Sequence, residues 1–119
     1  MITDDEMDGL FHALAHSARR RILDILRERP GISVGELARE FDVSRIAVMN
    51  HLAVLSDAGL VISEKQGRSR CLWINVMPIR AVYDRWTDSF SDHWADRMSL
   101  IKRAAEAAAT AKPPEDDHD

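Results

Sequence analysis

Ser33 and Ser44 open two helices only eleven residues apart, and no other feature of the chain restricts its fold as much. Ser33-Val34-Gly35-Glu36 has capping-box spacing, in which a hydroxyl and a carboxylate each satisfy an orphan amide of a first turn. The short helix it opens carries Val34, Leu37, Ala38 and Phe41 on one side. Only Asp42 and Val43 intervene before Ser44, a second N-cap, starts a helix through Ala58. Val48, Leu52 and Leu55 face inward on it, and Gly59 stands at its C-terminal stop. Two helices are thus joined by a tight turn, with Asp42 where a glycine is common; Asp tolerates left-handed backbone better than most residues.

Helices precede this pair. Thr3-Asp4-Asp5-Glu6 is another capping box, and Met7, Leu10, Phe11 and Leu14 form a buried stripe that ends near His16. Ser17 reads as the next N-cap, with Ile22, Leu23, Ile25 and Leu26 as the buried face and Pro30-Gly31 as terminator. After Gly59, Leu60 to Lys65 and Arg70 to Val76 are short β-branched and aromatic runs, separated by Gln66, Gly67, Arg68 and Ser69. They predict a hairpin with a basic tip. Pro78 suits the start of a last helix, and no breaker follows until Pro113, so that helix runs some thirty residues, roughly 48 Å. Val82, Trp86, Phe90, Trp94, Met98 and Ile101 make its apolar stripe, opposite Asp84, Asp88, Asp92 and Asp96. A helix longer than its own domain is expected to pack that stripe on a second copy; a core stripe within one chain is the alternative.

The whole has the spacing of a winged helix-turn-helix. The expected fold is mostly α with a small β-hairpin wing, in the order four helices, two strands, one helix. The 119 residues allow one domain, placed at residues 1–111, with residues 112–119 a disordered acidic tail. The net charge of −4, taken alone, disfavours nucleic acid, but residues 1 to 8 carry −4 and residues 112 to 119 carry −3, leaving +3 between them. Arg19, Arg20 and Arg21 are adjacent, and Lys65, Arg68 and Arg70 cluster around a glycine, which permits a phosphate footprint without demanding one. The single cysteine, Cys71, excludes a disulfide scaffold, and no secretory or membrane-spanning segment is evident, so a cytoplasmic protein is expected.

Phe11-His12-Ala13-Leu14-Ala15-His16-Ser17-Ala18-Arg19-Arg20-Arg21-Ile22-Leu23, Val34-Gly35-Glu36-Leu37-Ala38, and Ser44 to Leu52 followed by Leu55 and Ala58-Gly59-Leu60-Val61 together carry a resemblance. On these segments, with the Gly67-Arg68-Ser69-Arg70 wing and Pro78-Ile79-Arg80, the chain resembles the ArsR-type winged helix-turn-helix transcriptional regulators. The resemblance implies a homodimer that binds a pseudo-palindromic double-stranded DNA operator and represses transcription. It also implies a dimer interface made by the first and last helices, here Leu10 and Phe11 with the Val82 to Ile101 stripe.

A helix entering the major groove offers its first turns to base edges; here these are Ser44, Arg45, Ala47, Val48 and Asn50, with His51 just behind. Arg45 is the leading candidate, able to donate twice to guanine, while Asn50 suits adenine and Ser44 suits a phosphate. Ile46, Val48 and Met49 are either core or touch a thymine methyl; His51 is more in keeping with an interior histidine than a base reader. Lys65, Gln66, Arg68 and Arg70 on the wing reach phosphates, or, through Arg68, a minor groove. Arg19 to Arg21 divide between phosphate and an ion pair, with Arg20 placed on the phosphate side.

Metal sensing, a familiar use of this family, finds little support. Thiolate sensors carry cysteines in the helix that here spans Ser33 to Phe41, which has none. The other arrangement needs Asp-x-His, and here Asp84 is followed by Arg85 and Trp86. His12 with His16, and His93 with Asp96, have zinc spacing, but neither pair is a full ligand set. No metal, cofactor or catalytic constellation is expected, and any small-molecule effector is unspecified. A metal-responsive repressor, and a winged-helix interaction module that has lost DNA binding, stand as alternatives.

Overall fold

The computed structural model describes residues 2–87 and 91–111. The elements are α1 (Asp4–Leu14), α2 (Ser17–Glu28), α3 (Val34–Ala38), α4 (Arg45–Asp57), β1 (Val61–Gln66), β2 (Ser69–Ile74), α5 (Met77–Thr87) and α6 (Ser91–Ala111). This is the expected mostly helical chain with a two-stranded wing. Where one long last helix was expected, the described residues form two, α5 and α6. Phe90, the side chain of Trp94 and the tail 112–119 lie outside the described residues. The chain divides into two compact units, one ending at Tyr83 and the other starting at Asp84. The described residues of the second unit are helical, and Met98, Leu100 and Ile101 are exposed on α6.

Local chemistry sets the helix starts. The Thr3 hydroxyl accepts from the Glu6 amide at 3.1 Å while the Glu6 carboxylate accepts from the Thr3 amide at 2.9 Å. Ser33 and Glu36 repeat the exchange at 3.1 Å each way, and Ser44 accepts from the Ala47 amide at 3.1 Å. At α2 the expectation fails by one residue. His16, in extended backbone, caps it by accepting from the Ala18 amide through Nδ1 at 3.2 Å, and Ser17 is the first helical residue. His12 is on α1 and His16 beyond its end, so the two do not share a helix.

The hairpin pairs Val61 with Ile74 through Gln66 with Ser69, so its turn is two residues, Gly67 and Arg68, where four were expected, each strand being longer by one at the tip. Gly67 takes φ 62 at the first central position while Arg68 keeps negative φ, the arrangement of a II′ turn. β2 also bonds outward to the loop before α3: Gly31 donates to the Leu72 carbonyl at 2.8 Å, Leu72 to that of Ile32 at 3.0 Å, and Ser33 bridges Cys71. The wing is thereby fixed to the root of α3.

One core joins α1 to β2. Leu10, Ile22, Leu26, Leu37, Val48, Leu55, Leu60 and Leu72 are fully buried, with Val82 of α5 packed against them. Leu10 is 1% exposed, so its assignment to a dimer interface is corrected: it fills its own chain's core. Its neighbour Phe11 does face solvent.

Candidate nucleic-acid interface

α4 is held at both ends and along one side. Ser44 caps its start, and at its end the Asn75 side chain donates to the Gly59 carbonyl at 2.9 Å. Val48, Leu52 and Leu55 seat it on the core. Arg45, Ile46, Met49, Asn50 and Ala53 face outward, with Ala47 half-buried. Ser44 is exposed; its oxygen is used by the cap, and its O–H remains able to donate.

Two expected base contacts are reassigned by burial. Val48 is 0% exposed, because the helical spacing that seats α4 on the core puts it at the centre of the buried face; it cannot reach DNA. His51 is half-buried in a cluster behind the surface. Its ring lies 4.6 Å from that of His16, and its Nδ1 is 3.3 Å from the Arg19 guanidinium. Arginine has no acceptor, so His51 Nδ1 accepts and the proton sits on Nε2. Burial first, then His16 and Arg19, push the His51 pKa below its ordinary 6.5.

The arginine run is also resolved. Arg19, 8% exposed, donates to the Ala13 carbonyl at 2.8 Å and the His12 carbonyl at 3.1 Å, and Arg20 donates to the Leu14 carbonyl at 2.7 Å. Both close the C-terminal end of α1, where carbonyls lack helical partners and the dipole favours cations. Arg20 therefore has a structural engagement that the expected phosphate contact did not include. Arg21 stacks over Phe41, 4.7 Å from the ring centre. The expected ion pair is absent here: the salt bridge among the described residues joins Arg29 and Glu40.

Between α3, α4 and the wing tip lies a groove of about 440 Å³ lined by Ser33, Arg39, Arg45, Met49, Arg68, Ser69 and Arg70, among others. Arg45 leans over α3, its Nη1 3.8 Å from where a Cβ on Gly35 would stand. Arg70 donates to the Ser63 hydroxyl at 2.9 Å. Gln66 is turned along the strand instead, with its amide 3.5 Å from Glu64 and its carbonyl accepting from the Cys71 thiol at 3.6 Å. Lys65 is exposed opposite Arg70 in the ladder. No carboxylate lines the groove, so it suits an anion. By contrast, a larger depression of about 670 Å³, where α1, α5 and the end of α4 meet, is lined by Asp5, Glu6 and Asp57 and by no cation.

Arg39 is the residue that sequence reasoning passed over. It caps α3 at its C-terminal end, between Ala38 and Phe41 of the apolar stripe that drew attention to that helix; its place beside the turn was the available signal. Among the described residues no three His, Cys, Asp or Glu side chains converge on a metal position.

Comparison with known proteins agrees with this geometry. Residues 14–64 match a family described as a helix-turn-helix domain. The chain is 38% identical to the uncharacterized HTH-type transcriptional regulator YuzN of Bacillus subtilis (strain 168), over 68% of this chain and 95% of that one. It is 29% identical to the transcriptional repressor SdpR of the same organism, over 52% of this chain and 68% of the relative. Among solved structures it is similar to an ArsR-like transcriptional regulator from Rhodococcus sp. RHA1, with 32% identity, a TM-score of 0.64, and coverage of 87% and 93%. With an outward-facing α4, a basic wing, and YuzN and the Rhodococcus regulator matched over nearly their full length, the chain belongs to the ArsR-type winged helix-turn-helix transcriptional regulators, which bind DNA.

Proposed function

We propose that the chain works as a homodimeric repressor, binding a pseudo-palindromic operator with α4 in the major groove and the wing on phosphates. The observation that carries this reading is the carboxylate-free arginine groove directly beside the exposed face of α4. Phosphate neutralisation supplies affinity, and base edges beneath the exposed face supply choice. Repression needs only occupancy: a protein seated on a promoter excludes polymerase. The relative SdpR, a transcriptional repressor by name, supports this direction of control. Phe11 on α1 and Met98 and Ile101 on α6 supply exposed apolar surface for pairing two copies. Two-fold pairing sets half-sites one DNA turn apart, about 34–36 Å, or a multiple of it. The function is binding without a catalytic step, and its place is the cytoplasm, where a bacterial-type operator resides.

The test is fluorescence anisotropy on duplexes from the gene's own promoter across a salt series, with sedimentation of the free protein. The expected result is a dimer that prefers one promoter segment over random duplex. A monomer that ignores every duplex at low salt would falsify this reading and favour the interaction-module alternative.

A further inference from the structure

The outward face of α4 is more apolar than a solvated helix face has reason to be. Ile46 is 72% exposed and Met49 50% exposed, and at i, i+3 spacing they share one face. Val43, in the turn just before them, is exposed as well. The positive charge lies to one side of this face. Arg45 leans over Gly35 and lines one groove with Arg39, Arg68 and Arg70. Among the described residues none of these four arginines is in a salt bridge; Arg39 interacts at a distance with the Glu36 carboxylate, and Arg70 bonds a neutral hydroxyl.

An apolar strip flanked by arginines is the complement of a major groove running past thymines. The thymine 5-methyl is the apolar group of that groove, and phosphates border it. We propose that α4 reads its operator through contact of Ile46 and Met49 with thymine 5-methyl groups, while Arg45 joins Arg39, Arg68 and Arg70 on the adjacent phosphates. This rests on the DNA-binding reading above and departs from the guanine contact expected of Arg45. Asn50, one residue beyond Met49 and exposed, completes the assignment: its amide pairs with adenine, the partner of thymine. The half-sites are therefore rich in A·T pairs.

The experiment begins with wild-type protein selecting duplexes from a randomised pool. In the most enriched duplex, thymines of each half-site are then replaced singly by deoxyuridine, which lacks only the methyl. Anisotropy at fixed salt is expected to show about fourfold weaker binding at one or more positions per half-site, the worth of one buried methyl-sized group. Ile46→Ala or Met49→Ala protein should lose that discrimination at the position its side chain covers. Arg45→Ala should weaken binding to the selected and to an unrelated duplex by the same factor, and make the log–log salt slope of a dimer shallower by about two. Indifference to every uracil replacement overturns the thymine contact. Loss confined to the selected duplex in Arg45→Ala overturns the phosphate role and restores guanine recognition. Failure of wild-type protein to bind any duplex removes the underlying DNA-binding reading instead, and binding without enrichment removes base reading alone.

Discussion

His51 occupies the point where the α1–α2 corner meets α4, and its protonation is coupled to folding. Its pKa lies below the ordinary 6.5 in the folded chain, so as pH drops below 6.5 the unfolded chain takes up the proton first. Stability from this source is present above 6.5 and is lost as pH falls towards the lower folded value. Glu6 and Glu36, held below their ordinary 4.5 by bonds from the Thr3 and Ser33 amides and hydroxyls, add a second loss below 4.5. Urea midpoints measured on either side of 6.5 should fall with acid, and His51→Gln should remove that upper step while leaving the lower one; an unchanged profile in the variant refutes the assignment. For His51 the sequence favoured an interior role while keeping it among the base-contact candidates, and the Arg19 and His16 partners show the first. Arg19 was not legible: three adjacent arginines look alike in sequence, and only the meeting of α1's end with α2 selects the one that is buried.

At the scale of elements, the capped starts are short-range chemistry. Ser44→Ala should therefore cost about 1 kcal/mol in denaturant unfolding, with its effect confined to the first turn of α4. The wing turn gives a second case. Gly67 has φ 62 and nothing within 4 Å of an added Cβ, so Gly67→Ala meets a backbone penalty and no clash. That penalty is about 1 kcal/mol, a fall of a few degrees in Tm by calorimetry. Leu55→Ala, by contrast, empties a fully buried site on α4, and a loss of about 2–5 kcal/mol is expected. These elements were readable because caps, breakers and apolar periodicity act within a few residues. The link from β2 to Gly31 and Ile32 was not readable, since its partners are some forty positions apart and no turn residue announces it. The exposure of Ile46 and Met49 also needed the fold: both are apolar, and only the burial of Val48, Leu52 and Leu55 shows which way α4 is turned.

For the molecule as a whole, net charge is a poor guide to partner, because the net negative charge comes from residues 1–8 and 112–119 while the groove has four arginines. If each of those arginines in both copies neutralises a phosphate, the log–log salt slope is about −7. A variant that cannot pair should show about half of it. Met98→Asp with Ile101→Asp is expected to give a monomer by sedimentation with that halved slope; a dimer of unchanged slope would place pairing elsewhere. One small joint ties three elements of the first unit together. Asn75 donates its side chain to the Gly59 carbonyl, its backbone amide to Leu60, and accepts from the Met77 amide, so one residue fastens the end of α4, the exit of the hairpin and the first turn of α5. That makes it a rivet through three pieces of the first compact unit, set beside the hydrophobic interior that also holds α5 through Val82.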